Sequence, residues 1–383
     1  MAPTARSRRL ARPERARGAG LRGNPSQSVG EKRLDQDGPR SPFRTIVDSP
    51  EVMRDRCRGF LIGTAVGDAM GVPLEGTPPC PDIEPDTYWD GFLPIPGDAP
   101  GRTSDDTQLV ALTMIALQSD GTFRPETLAQ LMTREFERNS TMGWGLATYT
   151  AVARMVYEGE TWESCACPEG VAGNGPAMRA GPFGLWPWPS SEHRERAAFR
   201  AARLTHTDAR AVAGAAGIAA AHAYALACPP FSRDDFTAAV LASVEPHSPE
   251  MASALEETFR ETDSLAAVKR LSEHGATEVR GPVSRGIPGY VVPSVALALH
   301  LFSLFPAEPR KSLCLAMSAG GDTDTVGSMV GGLTGTLNGS AIWPEHLASN
   351  VRAYENLLKI ADAFADACWE RMSMNGGAGE TEP

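Results

Sequence analysis

The sequence predicts an all-α protein. From residue 51 onward, apolar and small residues recur at positions i, i+3, i+4 and i+7, the spacing of one helix face. No segment shows the sustained apolar-polar alternation that a half-buried strand needs. Several predicted helices are rich in Gly and Ala, as in residues 211–221, which lets helix axes approach closely. We therefore expect a compact bundle of many helices.

The predicted helices follow one another along the chain. They cover residues 51–67, 106–118, 125–138, 145–157, 194–204, 208–227, 232–243, 249–272, 290–305, 308–318, 324–337 and 350–371. Two longer gaps between them, residues 77–102 and 181–192, are rich in Pro and aromatic residues. Loops of this length inside a compact domain are usually lids or binding loops, and we interpret both segments in this way.

The most apolar segment is the predicted helix that ends at Phe305. From Val291 to Phe305 it spans only 15 residues and contains Pro293 and His300. A membrane span requires about 20 apolar residues. The segment therefore indicates a buried core helix, and we expect no membrane association.

Charge divides the chain into an arm and a body. Residues 1–49 carry 11 Lys and Arg against 5 Asp and Glu, whereas the remainder carries 25 against 42. We expect residues 1–49 to form a disordered basic arm, residues 50–372 one folded domain, and the Gly-rich residues 373–383 a flexible tail. The acidic body argues against binding to a nucleic-acid duplex and is compatible with a cation site.

The cysteines indicate a reducing compartment. The chain has seven, an odd number, and they lack the regular spacing of a disulfide framework. Cys165 and Cys167 could form half of a zinc site, but no second Cys or His pair with suitable spacing follows. We expect a cytoplasmic, bacterial protein without structural disulfides.

Two segments place carboxylates and hydroxyls directly before apolar helices. They are Thr103-Ser-Asp-Asp-Thr-Gln108 and Gly320-Gly-Asp-Thr-Asp-Thr-Val-Gly327. If the two helix starts face each other, they supply about six oxygen ligands, which suits two Mg²⁺ ions that also keep water. Asp, Ser and Thr are also preferred N-caps, so each segment alone is equally explained by helix capping.

Three further segments carry candidate residues, each with an ordinary structural alternative. Glu75 ends the run from Gly67 and is either a cleft carboxylate or a solvated loop acid. The Gly-rich loop at residues 170–175 has the composition of a phosphate cradle, and also of a common turn. His206 precedes an alanine-rich helix, where a lone histidine is more often structural than catalytic.

Taken together and in order, these motifs resemble the ADP-ribosylglycohydrolase family. The matching motifs are Gly67-Asp-Ala-Met-Gly-Val-Pro-Leu-Glu75, Ser104-Asp-Asp-Thr107, Gly173-Asn-Gly-Pro-Ala-Met-Arg179, Thr205-His206, Gly289-Tyr-Val-Val292 and Gly320-Gly-Asp-Thr-Asp-Thr-Val-Gly327. The resemblance implies the compact orthogonal multi-helix bundle of that family. It also implies a hydrolase with two Mg²⁺ ions, or Mn²⁺ in their place, acting on ADP-ribose linked to protein.

The resemblance also implies roles for individual residues. The implied metal ligands are Ser104, Asp105, Asp106, Asp322, Asp324 and Thr325. The implied catalytic residues are Glu75, Asp106 and Asp322. The implied substrate-binding residues are Gly143, Gly145, Gly170, Gly173, Asn174, Gly175, His206 and Tyr290, and either Tyr290 or Trp186 could flank the adenine.

Arginine-linked ADP-ribose is the favoured substrate, but the linkage stays open. Residues 139–143 offer no acid, although some arginine-specific relatives use one there. Val171 and Ala172 stand where serine-specific relatives carry a hydroxyl and an aromatic ring. One alternative is an immunity-type protein that binds and reverses an ADP-ribosyltransferase toxin, with the arm as docking element. Others are a non-catalytic descendant of the family and a haloacid-dehalogenase-like phosphotransferase using Asp322 and Asp324.

Overall fold

The computed structural model describes residues 47–80, 85–227, 230–273 and 286–377. In these ranges the chain forms sixteen α-helices. They are α1 Pro50–Gly71, α2 Asp105–Asp120, α3 Pro125–Glu137, α4 Leu146–Ala153, α5 Gly175–Met178, α6 Gly181–Leu185, α7 Ser191–Ala202, α8 Ala209–Ala227, α9 Arg233–Val244, α10 Pro249–Arg260, α11 Ser264–Glu273, α12 Val291–Leu304, α13 Pro309–Ser318, α14 Thr323–Asn338, α15 Glu345–Ala348 and α16 Tyr354–Gly377. Only isolated β-bridges occur in these ranges. The all-α prediction is therefore confirmed.

The centre of the fold is a glycine seam between α1 and α14, formed by Gly59, Gly63 and Gly67 on α1 and Gly335, Gly331 and Gly327 on α14. The two helices run antiparallel, because the early glycines of α1 face the late glycines of α14. A Cβ added at any of these six positions would lie closer than 3.0 Å to backbone of the facing helix. The backbones are thus in direct contact along the seam. Past its last glycine pair, Gly71 abuts the backbone of Asp324.

The helix predicted at residues 290–305 is confirmed as a core helix. It is α12, and its residues from Val291 to Ser303 are all buried. Nowhere in the described ranges does a helix combine the length and apolarity needed to cross a bilayer.

The single helix predicted at residues 249–272 is wrong. The structure has α10 and α11 instead, separated by residues 261–263. The Asp263 carboxylate accepts hydrogen bonds from the backbone N–H of Leu265 (2.9 Å) and Ala266 (3.3 Å). An Asp side chain that caps a new helix in this way competes with continuation of the preceding one.

The loop predicted at residues 181–192 is also wrong. The segment contains the short helix α6, and Trp186 and Trp188 are buried at 1% and 7% exposure. Trp186 packs on Phe364 of α16, with ring centroids 5.6 Å apart, and so lies in the core. It cannot stack on an adenine.

Several expectations fall wholly or partly outside the described residues. Only residues 47–49 of the predicted basic arm are among the described residues. Residues 81–84 of the predicted lid at 77–102 are outside them. Residues 378–383 of the predicted tail also lie there, and α16 runs to Gly377. The arm and the tail stay predictions.

Candidate active site

A cavity of about 430 Å³ opens where the N-termini of α2 and α14 meet the loops before α4 and α5. Its walls include most of the residues that the resemblance implied. They are Glu75, Ser104, Asp105, Gly143, Gly145, Gly173, Asn174, Gly175, His206, Asp322, Asp324 and Thr325. Asp106, Gly170 and Tyr290 are not among the lining residues.

Asp106 lies behind the wall and connects the two acidic segments. Its carboxylate accepts hydrogen bonds from the hydroxyls of Ser104 (3.2 Å) on its own segment and of Thr325 (3.1 Å) and Ser328 (2.6 Å) on α14. Its side chain is almost fully buried, at 1% exposure. The two segments, more than two hundred residues apart in the chain, therefore meet at one carboxylate.

The start of α14 is shaped by the two glycines before it. Gly320 and Gly321 have φ of 62° and 76°, the left-handed region that glycine adopts without strain. A Cβ at Gly321 would lie closer than 3.0 Å to the backbone of Ile287. This turn sets Asp322 as N-cap of α14, where its Oδ2 accepts a 2.7 Å hydrogen bond from Nδ2 of Asn174.

The start of α2 is anchored by Asp68, which is fully buried on α1. The Asp68 carboxylate accepts hydrogen bonds from the backbone N–H of Ser104 (2.9 Å) and of Thr107 (3.0 Å), and from the Thr107 hydroxyl (2.5 Å). One carboxylate thus satisfies two of the N–H groups that a helix start leaves free. The sequence motif that starts at Gly67 contains Asp68 but does not indicate a role for it, because its partners lie about 36 residues further along the chain.

Gln108 is a second residue that sequence reasoning missed. Its Oε1 accepts hydrogen bonds from Nε1 of Trp144 (2.8 Å) and the backbone N–H of Met142 (3.1 Å), while its Nε2 donates to the carbonyl of Ser140 (2.8 Å). These bonds hold the loop that carries Gly143, whose φ is 90°. A Gln just after two acids carries no local signal for this role.

The cluster of acids is electrostatically unfavourable as it stands. Burial, and then the Asp68 charge, raise the pKa of Asp105 to about 8, and burial raises the pKa of Asp68 to about 6. Burial and neighbouring carboxylates hold the pKa of Asp106 and of Asp324 well above the usual range. In the part of the chain that the structure describes, no ion pair involves any of these four acids.

The donor set fits a hard divalent cation in charge and in ligand type. Oδ1 of Asp324 is buried without a hydrogen-bond partner, and the surrounding groups are carboxylate and hydroxyl oxygens. Within the described ranges, however, no three His, Cys, Asp or Glu side chains converge closely enough to hold an ion by themselves. A cation here would therefore also need hydroxyls and water, which is how Mg²⁺ is usually held.

Glu75 lies at the mouth of the cavity with an exposed side chain. Partial burial and the Asp322 charge raise the pKa of Glu75, and Arg102 opposes the shift. Of the two interpretations that the sequence left open, the structure favours the cleft carboxylate.

The Gly-rich loop also lines the cavity, next to Asp322. Gly173 pairs with Tyr290 through a β-bridge, and the backbone N–H of Asn174 donates to the carbonyl of Gly289 at 3.1 Å. A Cβ at Gly173 would lie 2.9 Å from Nε2 of His206, so the loop needs glycine where it faces this ring.

Two implied binding residues, Gly170 and Tyr290, do not line the cavity. The Gly170 N–H donates to Asp208 at 2.9 Å. The Tyr290 hydroxyl donates to Glu250 at 2.7 Å and accepts from Arg210 at 3.1 Å, with the Arg210 guanidinium 5.4 Å from the ring centroid. The substrate-binding roles of both residues stay predictions.

Replacing Asp68 with Asn is expected to lower activity by about 10- to 100-fold, the usual cost of losing a partner that orients site ligands. An amide can no longer accept from all the donors at the start of α2, so Asp105 and Asp106 would lose their fixed position. Turnover and the thermal midpoint should be measured together.

Asp55→Asn is the matched control for that variant. Asp55 is on the same helix and accepts from the N–H (3.0 Å) and hydroxyl (2.6 Å) of Ser340, far from the cavity. Equal activity losses in the two variants would refute the anchoring role of Asp68.

The fold and the cavity define an all-helical enzyme with an acidic, oxygen-rich active site. A family model described as ADP-ribosylglycohydrolase matches residues 49–373. The chain belongs to the ADP-ribosylglycohydrolase family, whose members hydrolyse glycosidic bonds of ADP-ribosylated substrates. The recognition made from the sequence motifs is therefore confirmed.

Similar proteins span nearly the whole domain. ADP-ribosylhydrolase ARH3 of Danio rerio is 26% identical over 76% of this chain and 84% of its own length. ADP-ribosylarginine hydrolase Tri1 of Pseudomonas putida is 25% identical over 91% of each chain. A solved structure described as an ADP-ribosylglycohydrolase-related protein complex superposes with a TM-score of 0.60 at 28% identity, covering 83% of this chain and 99% of that one.

Proposed function

We propose that this chain is a Mg²⁺-dependent ADP-ribosylhydrolase that removes ADP-ribose from modified protein side chains, arginine foremost. The observation that carries the proposal is the convergence of buried carboxylates without an ion-pair partner, from α2 and α14, at one wall of the cavity. Such a cluster is costly unless a cation compensates it.

The residues present would hold two Mg²⁺ ions, or Mn²⁺ in their place, through the carboxylates of Asp105, Asp106, Asp322 and Asp324 and the hydroxyls of Ser104 and Thr325. When bound, the ions would supply positive charge that polarises substrate oxygens and activates water. Asn174 fixes the orientation of Asp322 by its hydrogen bond. Asp106 would exchange some of its three hydroxyl partners on binding.

Proton transfer is assigned to Glu75. It is the one acid of the cavity wall with an exposed side chain in the described ranges, and its pKa is raised. A raised pKa brings a carboxyl group closer to the operating pH, which favours its use as a general acid. Glu75 would donate a proton to the leaving side chain as the bond at the anomeric carbon breaks. A water oxygen would bond to that carbon in its place and lose a proton to solvent, which gives free ADP-ribose and the unmodified side chain.

Arginine linkage is favoured by two observations. The relative named ADP-ribosylarginine hydrolase aligns over 91% of both chains. The cavity wall is also acidic, which suits a guanidinium leaving group. The transferase-binding alternative relied on the arm, which lies mainly outside the described residues.

The haloacid-dehalogenase alternative is wrong. That chemistry needs the first Asp at the end of a buried parallel strand. Instead, α13 ends at Ser318, a glycine turn follows, and Asp322 caps α14.

The test is release of ADP-ribose from arginine-modified and serine-modified peptides of equal sequence, each with Mg²⁺ and with chelator. We expect release from the arginine-linked peptide with Mg²⁺ and a loss of more than about 100-fold with chelator. Equal rates with and without chelator would refute the metal dependence, and faster release from the serine-linked peptide would refute the arginine preference.

A further inference from the structure

Behind His206 lies a line of buried hydrogen bonds that begins at Arg179. Arg179 is only 1% exposed and follows α5 directly. Its Nη2 donates to Oγ1 of Thr205 at 2.7 Å, and that oxygen lies 2.9 Å from Nδ1 of His206. Thr205 is fully buried, so water cannot replace either partner.

The direction of these bonds can be assigned from their chemistry. A guanidinium only donates, so the Thr205 oxygen is the acceptor of the Arg179 bond. The Thr205 hydroxyl hydrogen then needs its own acceptor, because a buried hydroxyl without one is costly. Among the described residues, Nδ1 of His206 is the only acceptor within hydrogen-bond distance of Oγ1.

We propose that Arg179 and Thr205 are positioning residues that fix His206 in the tautomer with its proton on Nε2. Nδ1 must be unprotonated to accept from Thr205, so the neutral ring carries its hydrogen on the other nitrogen. His206 then presents an N–H donor to the cavity.

The position of Nε2 indicates which kind of ligand atom this N–H would meet. Nε2 faces the Gly-rich loop, 2.9 Å from where a Gly173 Cβ would be, and His206 lines the cavity. A ligand at the loop would therefore meet a neutral donor, which suits an acceptor such as a phosphate or hydroxyl oxygen. That acceptor is an oxygen of ADP-ribose, and this part of the inference depends on the proposed function.

Burial supports the neutral state. Burial, and then the charge of Arg179, lower the pKa of His206 to about 3. Asp208 opposes the shift, and Arg179 is the cation that faces the ring. At neutral pH the ring therefore holds one proton, whose location the Thr205 hydroxyl decides.

The experiment reads the tautomer directly, by long-range ¹H–¹⁵N NMR of the histidine rings in the full chain. The His206 signals are assigned by comparison with the His206→Gln variant. We expect Nδ1 of the wild-type ring to be the unprotonated nitrogen without any ligand present. A wild-type ring protonated on Nδ1 overturns the proposal, and this result needs no variant of Arg179 or Thr205 to fold.

Two variants then test the line of hydrogen bonds from Arg179 through Thr205 to His206, called the relay below. Thr205→Val keeps the shape but removes the hydroxyl, and should give a mixture of tautomers and weaken ADP-ribose binding by about tenfold, the value of one lost hydrogen bond. Thr205→Ser keeps the hydroxyl and should retain both properties. An unchanged ring spectrum in Thr205→Val overturns the relay.

The ligand-free spectrum separates this inference from the proposed function. The expected tautomer in a chain that does not bind ADP-ribose would support the relay and refute the function. The opposite tautomer in an active enzyme would refute the relay alone.

Discussion

Replacing Asp324 with Asn is expected to abolish hydrolysis and to stabilise the metal-free protein. Asp324 is 5% exposed, and its Oδ1 is buried without a partner. Loss of a residue that hydrogen-bonds to a metal ligand usually lowers metal affinity or activity by about 10- to 100-fold. Removing a ligand itself should therefore lower activity by more than about 100-fold. The neutral amide removes one buried charge from a cluster of acids, and its NH₂ can donate to the carboxylates beside it.

The stability gain is expected to depend on pH. The acids of this cluster have pKa values raised on folding, to about 8 for Asp105 and about 6 for Asp68. Between their ordinary values near 4 and these raised values, the folded state binds protons that the unfolded state releases. In chelator, wild-type stability should therefore fall as pH rises from about 5 to about 8, and Asp324→Asn should reduce that slope.

Thermal denaturation in chelator across this pH range, paired with turnover in Mg²⁺, measures both effects. Asp234→Asn is the matched control, because Asp234 also lies in the first turn of a helix, α9, but is exposed and away from the cavity. Full activity in Asp324→Asn, or a wild-type stability that rises with pH in chelator, would contradict the prediction.

Replacing Gly331 with Ala is expected to destabilise the fold by about 3 kcal/mol, at the upper end for overpacking a core. In an exposed helix the same change would stabilise by about 1 kcal/mol. Here the added methyl would lie closer than 3.0 Å to the carbonyl oxygen of Gly63, which is backbone and cannot turn aside. The helices α1 and α14 must separate, which also displaces Asp324 at the start of α14.

Urea denaturation gives the free energy of unfolding, and turnover at low temperature reports the displacement of the site. Gly91→Ala is the control, since a Cβ there would meet no atom within 4 Å and the backbone has ordinary φ. A Gly331→Ala protein as stable as this control would show that the seam can open without cost.

The sequence predicted the all-α fold class and most of the helices, because helical periodicity can be recognised from residues close together in the chain. The resemblance of the combined motifs also implied that the two acidic helix starts meet, although helix capping explained each start by itself. It could not place Asp68 or Gln108, whose roles arise from residues distant in the chain. It failed at Trp186 because a Pro- and Trp-rich run has the same composition whether it forms a surface loop or packs into the core.

The glycine seam has a consequence for redesigning this enzyme. Asp324 is on α14, and Asp68 of α1 anchors the start of α2, so the acids of the site depend on the two helices whose backbones touch. Glu75 and the Gly-rich loop before α5 lie outside these helices. Attempts to change the leaving group accepted by the enzyme should therefore target the loop residues that line the cavity. Substitutions along the seam would displace the acids of the site and so affect every substrate alike.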